Sequence, residues 1–395
     1  MNKCKLGDLF YIKQGYAFKS EKYVSHSNYI LCTLANFSES NNFKFSPEKA
    51  TYYPDEFSHE FILCENDLII PLTEQVVGLF GNTAFVPKTE GFQFVLNQRV
   101  GKIIPYEEKA DKLFLHYLLS TQLVRNQIEA TASGTKQRNT SPDKIYDVTV
   151  WVPNIDQQRI IGRYLYSLEQ KCNVNNKICS ELEAMAKALY DYWFVQFDFP
   201  DENGNPYRTS GGEMAWNEQL KREIPKGWNV TNIGNLTTVV TGKEDANFSS
   251  PNGKYKFFTC SQETLLCDTP AFSGQAVLIA GNGDFNVKHY SGEFNAYQRT
   301  YVLIPENKVY YGAMYISSKN QIQAFKNGSN GSIVKFITKG DVENIPFILP
   351  NDDSIFHQIN KLIEKIELCE RENEELTKFR DWLLPMLMNG QARVE

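Results

Sequence analysis

Gln98-Arg99-Val100-Gly101-Lys102-Ile103-Ile104-Pro105 recurs further along the chain as Gln298-Arg299-Thr300-Tyr301-Val302-Leu303-Ile304-Pro305, with four of the eight positions identical. Other echoes keep the same order around it. Leu6-Gly7-Asp8-Leu9 returns as Ile233-Gly234-Asn235-Leu236, and Val150-Trp151-Val152-Pro153-Asn154 as Phe347-Ile348-Leu349-Pro350-Asn351. Repetition in fixed order is the mark of a chain built from two copies of one unit.

Each copy closes on a long helical pattern. Apolar residues at alternating three- and four-residue spacing run Ile161, Leu165, Leu168, Cys172, Asn175, Cys179, Leu182, Ala186, Leu189, Trp193. Shifted by 194 residues, the same spacing reads Ile355, Ile359, Leu362, Ile366, Cys369, Asn373, Leu376, Arg380, Leu383, Leu387. Both are coiled-coil seams of about four heptads. Asp156 in one case, and Asp352 with Asp353 in the other, suit the positive end of a helix dipole. Each seam carries one asparagine, Asn175 and Asn373, which either sets register or turns to solvent. Arg380 interrupts the second seam, and the second strand-to-helix loop is expected to be about three residues the longer.

The globular parts have a different texture. Residues 67–71, 101–104, 276–279 and 301–304 are short, rich in β-branched side chains and bounded by Gly or Pro, which predicts strands. Residues 112–120 and 309–317 suggest short helices. The fold class is α+β: two mixed α/β domains at 1–154 and 228–350, a long helix over 155–198, a Gly/Pro/Asn-rich linker over 199–227, and a second long helix with a tail over 351–395.

The chain has 395 residues, a net charge of −6 and eight cysteines. Residues 1–154 carry 16 basic and 17 acidic groups, and 225–350 carry 11 and 9, whereas 155–224 carry 8 and 11, and 351–395 carry 6 and 10. The excess acid therefore falls on the connectors. Each globular half stays near neutral, and a local basic face on it and an ordinary solvated surface both remain open. With no leader-like apolar run and no stretch long enough to span a bilayer, a cytoplasmic protein is expected. The cysteines have no paired spacing and the histidines no ligand spacing, so no metal site is expected.

Motifs of catalysis are missing. Gly242-Lys243 is followed by Glu244, which is not a phosphate cradle. Asn205-Pro206-Tyr207 lacks the second proline of an amino-methyltransferase loop, and no serine sits in a nucleophile elbow. Loops with the chemistry to touch a nucleic acid are present. Gly134-Thr135-Lys136-Gln137-Arg138-Asn139 is small, polar and cationic, with its counterpart at Asn330, Ser332 and Lys335. Gly15-Tyr16 with Lys19, and Gly242-Lys243, form a second pair of loops. Arg99 and Arg299 stand at the start of strands. Hydroxyls, amides and cations of this kind suit phosphate and base-edge contact; as residues alone they equally suit solvated loops.

Ser133-Gly134-Thr135, the strand ending at Pro153, Gln157-Gln158, and Trp193-Phe194-Val195-Gln196-Phe197-Asp198-Phe199-Pro200 followed by Ile224-Pro225-Lys226-Gly227-Trp228 add a further signal. Together and in this order they resemble the specificity subunit of type I restriction-modification enzymes, over essentially the whole chain. The resemblance implies two target recognition domains, each reading one half of a split double-stranded DNA site. It implies two long helices pairing as an antiparallel coiled coil. It also implies partners: two methyltransferase subunits carrying S-adenosylmethionine, and restriction/translocase subunits using ATP and Mg, with no cofactor in this chain. Residues 161–193 as helix span about 50 Å, or on the order of 14 base pairs. A protein-interaction scaffold without DNA, or a DNA-binding regulator acting alone, are the alternatives.

Overall fold

The structure is a computed structural model. It describes every residue except 39–40, 76–77, 135–136, 327–335, 393 and 395, and the side chains of 324–326.

The first globular domain opens with β1 (Asn2–Lys5) and β2 (Phe10–Gln14). Then come β3 (Tyr29–Cys32), β4 (Tyr52–Tyr53), β5 (Leu68–Pro71), β6 (Thr73–Glu74), β7 (Ala84–Phe85), β8 (Gln93–Leu96) and β9 (Val100–Pro105). It finishes with α1 (Lys112–Ser120), α2 (Gln122–Thr131), β10 (Arg138–Asn139), α3 (Pro142–Tyr146) and β11 (Thr149–Val152), from which α4 (Ile155–Tyr190) departs. After a hairpin of β12 (Met214–Asn217) and β13 (Arg222–Pro225), the second domain runs β14 (Asn229–Asn232), β15 (Val239–Thr241), β16 (Tyr255–Phe258) and β17 (Thr264–Cys267). It continues with β18 (Phe272–Ala280), β19 (Val287–Ala296), β20 (Thr300–Leu303), α5 (Tyr311–Lys326), α6 (Lys339–Glu343), β21 (Pro346–Leu349) and α7 (Ser354–Met388). The strands expected from sequence are present as β5, β9, β18 and β20. The helix expected at 309–317 is α5, which starts later and extends further.

The framework is the same twice. β1 pairs antiparallel with β11, and β14 with β21, so each domain zips its first strand to its last. In the next turn Leu6 N–H donates to Val148 O at 2.9 Å, and Ile233 N–H to Ile345 O at 2.9 Å. Glycine follows both residues because α3 or α6 lies against it: a Cβ on Gly7 would meet Tyr146 at 2.7 Å, and one on Gly234 would meet Glu343 at 3.0 Å. β2–β9–β5 in one sheet answers to β15–β20–β18 in the other. Parallel pairs β3·β8 and β16·β19 also correspond. Around this frame the domains diverge. The second has one six-stranded sheet with a long β18–β19 hairpin, where the first has separate four- and three-stranded sheets.

The chain divides into two compact units, Met1–Cys172 with Glu374–Glu395, and Asn173–Asn373. Each unit holds one globular domain and a segment of both long helices, paired antiparallel. In the first unit Ile161 and Leu165 of α4 share a core with Leu387 and Met388 of α7. In the second, Ala186, Ile359, Ile363 and Ile366 lie in the core with α5. The two seam asparagines meet: Asn175 Nδ2 donates to Asn373 Oδ1 at 2.9 Å and to Glu372 Oε2 at 2.7 Å, and Asn373 Nδ2 donates to Asn176 Oδ1 at 2.8 Å. Asn175 is buried, so the amide pair sets register. Asn175→Leu alone is expected to lower stability by about 1–2 kcal/mol, because Asn373 Oδ1 and Glu372 lose the Asn175 donor. Adding Asn373→Leu is expected to recover the loss in urea unfolding, and a further drop would contradict the pairing.

Two expectations are corrected. The strand-to-helix connection is Pro153-Asn154 in one copy and Pro350 to Asp353 in the other, two residues longer rather than three. The linker is also more than a connector. Ile224 and Trp228 are buried, and Phe199 stacks on Trp193, Trp228 and Tyr207 at 4.9, 4.8 and 4.7 Å between ring centroids. Composition rich in Gly, Pro and Asn hid the few aromatic side chains that do the packing. A π-helical turn at Asp191–Gln196 ends α4, and Phe197 caps it at φ 61°, with Arg222 Nη2 donating to Phe194 O at 2.8 Å.

Candidate nucleic-acid interface

In the first domain β2 ends at Gln14, and Gly15 N–H donates to Val100 O at 3.2 Å. A Cβ on Gly15 would land on the Asn97 and Leu96 carbonyls, so only glycine fits. Tyr16 N–H then donates to Leu96 O at 3.0 Å, and Gln98 N–H returns to Tyr16 O at 2.9 Å. In the second domain Gly242 N–H donates to Thr300 O at 3.2 Å, and its Cβ would land on Ala296 O. Gln298 N–H donates to Glu244 O at 2.9 Å. The loop is one residue longer here, and that residue is Lys243.

The partner of each glycine loop is the repeated motif. Val100 N–H donates to Asn97 O at 2.9 Å, and Thr300 N–H to Tyr297 O at 2.8 Å, closing tight turns. Gln98-Arg99 and Gln298-Arg299 occupy the corners of those turns. Gln98, Gln298 and Arg299 are exposed and Arg99 is half-buried. Among the described residues their side chains have no hydrogen-bond or ion-pair partner, and neither do those of Lys19 and Lys243. Sequence placed Arg99 and Arg299 among the candidates but passed over Gln98 and Gln298. Only the turn shows that both corner residues project together. Tyr16 is 47% exposed and packs edge-on against Phe18 at 5.1 Å.

The other loop is partly described. Gly134 has φ +115°, and Ser133 exchanges backbone hydrogen bonds with Asn139 at 3.0 and 2.9 Å. Arg138 is turned inward. Its guanidinium pairs with the buried Glu74 at 2.7 Å and donates to Glu129 O at 3.1 Å. Asn139 Oδ1 accepts from Thr73 at 3.0 Å and from Gln137 at 3.2 Å. Thr135, Lys136, Asn330, Ser332 and Lys335 lie outside the described residues.

Each domain is tied to a long helix by an amide side chain, buried at Gln158 and half-buried at Asn360. Gln158 accepts from Asp111 N–H at 3.1 Å and donates to Lys109 O and Pro153 O, both at 3.0 Å. Asn360 accepts from Gly312 N–H at 2.7 Å and donates to Lys308 O at 3.0 Å and Val309 O at 3.1 Å. These clamps stand 202 residues apart, eight residues beyond the 194-residue alignment of the seams. Below the clamps a tyrosine meets a glutamate: Tyr117 donates to Glu169 at 2.6 Å, and Tyr311 to Glu367 at 2.5 Å. Arg380, the break in the second seam, lies near Glu169 in a cleft of about 720 Å³.

Burial pushes the Glu169 carboxyl up. His116, whose Nε2 lies 3.8 Å from the carboxylate, the hydrogen bond from Tyr117 and the nearby Arg380 charge outweigh it and hold the group below the usual range. A depressed native pKa contributes stability above the unfolded value of about 4.3, and that stability is lost as pH falls through the native one. The unfolding midpoint in urea should therefore fall less steeply below about pH 4.5 in Glu169→Gln than in the parent. Equal slopes would contradict this assignment.

A family model for the type I restriction modification DNA specificity domain matches residues 1–184 and 225–378. The chain belongs to this family. It is 34% identical over 180 residues to the type I restriction enzyme EcoDI specificity subunit of Escherichia coli, a match covering 44% of this chain and 40% of that protein. The chain thus aligns with less than half the length of that relative. With the MjaIX specificity subunit of Methanocaldococcus jannaschii it shares 22% identity over 329 residues, covering 76% of this chain and 73% of the relative. Its fold is similar to that of a type I restriction-modification S subunit from M. genitalium, with a TM-score of 0.61 and 16% identity over 98% of this chain and 96% of that one. Membership of a specificity family gives the chain a role in DNA recognition. No helix among the described residues is long and apolar enough to cross a membrane.

Proposed function

We propose that this chain is the non-catalytic, sequence-reading subunit of a cytoplasmic type I restriction-modification complex, and that it reads a bipartite duplex target. The carrying observation is the same glycine-loop-on-turn geometry in two domains whose peripheries differ. Each would present Gln and Arg corner side chains to base edges: Gln98 and Arg99 for one half-site, Gln298 and Arg299 for the other. Tyr16, Lys19, Gln137 and Lys243 would hold the adjoining backbone. Gly15, Gly134 and Gly242 shape the loops, and Arg138 and Asn139 brace them. Thr135, Lys136, Asn330, Ser332 and Lys335 remain proposed contacts. The long helices would set the spacing of the half-sites and seat two methyltransferase subunits, with restriction/translocase subunits joining the complex.

The test is duplex binding at several salt concentrations. A good bidentate Arg–guanine contact is worth about 1–3 kcal/mol. Arg299→Ala should therefore weaken binding about 5- to 150-fold and relax one half-site, leaving the other as it was. An equal loss of preference at both halves would contradict independent readers.

A further inference from the structure

We propose that Cys179 and Cys369 form a redox-responsive crosslink between the two long helices. The amide pair fixes the register, with Asn175 bonded to Asn373 at 2.9 Å. Four residues on along α4 and four back along α7, the antiparallel pairing places Cys179 opposite Cys369. The Cys369 thiol is near enough to act on the Cys179 thiol. Cys179 Sγ also lies 3.7 Å from Ile366 O, on the turn of α7 that carries Cys369. Both side chains are half-buried at the seam, and no cysteine of the chain is in a disulfide. Facing thiols on two helices are what a crosslink needs, because Cβ positions in adjacent seam positions approach closely.

The chemistry balances with hydrogen peroxide as oxidant. Both S–H bonds break and one S–S bond forms. The two electrons and two protons released reduce one peroxide to two waters. Burial, and after it Cys369 and Glu370, push the Cys179 thiol up to about 11. At neutral pH Cys179 is therefore held as the protonated thiol, and closure needs an added oxidant. Once formed, the bond would close a loop containing the whole second globular domain and prevent the helices from sliding by a heptad. The inference rests on the helix pairing alone, so it stands or falls separately from DNA reading.

The experiment treats the purified full chain with hydrogen peroxide, blocks remaining thiols with iodoacetamide, digests the product and finds the linked peptides by mass spectrometry. A Cys179–Cys369 peptide should appear, vanish on reduction, and be absent from Cys179→Ser and Cys369→Ser. On a non-reducing gel the oxidised parent should run ahead of the reduced one. The parent chain decides the matter even if a variant folds poorly. The proposal is overturned if both cysteines stay alkylated after oxidation, if each is oxidised singly without a link, or if Cys172 replaces Cys179 as the partner of Cys369.

Discussion

Gly242→Ala is expected to unfold or badly loosen the second domain while leaving the first intact. A methyl group at this position would sit on the Ala296 carbonyl, with the Tyr297 carbonyl only 2.6 Å away. Both obstacles are backbone atoms, one at the end of β19 and one in the turn closed by Thr300 N–H on Tyr297 O, so neither can swing aside. Overpacking of a tight site costs about 1–3 kcal/mol, and a clash with fixed backbone belongs at the top of that range. Gly15→Ala meets the Asn97 and Leu96 carbonyls and should do the same to the first domain. Hydrogen exchange on the parent and both variants is the measurement. Protection should be lost in β15 and β20 for Gly242→Ala and in β2 and β9 for Gly15→Ala. If either variant keeps parental protection there, the loop does not depend on glycine.

Arg138→Ala is the second large effect. Glu74 is 1% exposed, and one carboxylate oxygen accepts Leu79 N–H at 3.0 Å and Phe80 N–H at 3.2 Å. Arg138 supplies the countercharge at the other oxygen and is itself partly exposed. Removing one partner of a buried pair costs about 3–5 kcal/mol; with the arginine in partial contact with solvent, about 3 kcal/mol is expected. Adding Glu74→Gln should restore much of the loss, because the uncompensated charge disappears. A DNA contact would behave otherwise: affinity would fall while the urea midpoint stayed put, and Glu74→Gln would rescue nothing.

These two residues show how far sequence reasoning reached. Gly15 and Gly242 stood out as loop glycines, and Gln98-Arg99 with Gln298-Arg299 as a repeat. That each glycine rests on its own domain's repeat is a contact between positions more than fifty residues apart, and no local pattern encodes it. Arg138 looked like a DNA-facing cation because its neighbours are small and polar. Its true partner, Glu74, lies on a two-residue strand too short to show periodicity. The long helices were legible because heptads are local: every seam residue is buried or half-buried, and Asn175 and Asn373 meet. Their relation to the domains was not, since Gln158 and Asn360 differ in type and sit outside the seams. The linker hairpin was obscured by its own composition.

Selection from a randomised duplex library, read by sequencing the bound fraction, tests the central claim most directly. The full chain, combined with the methyltransferase subunits proposed as its partners, should enrich two separate blocks of fixed bases divided by a gap of several unread base pairs. Deleting one heptad from each long helix should shorten that gap while both blocks stay the same. A single contiguous block, or a gap unchanged by the deletion, would contradict the account.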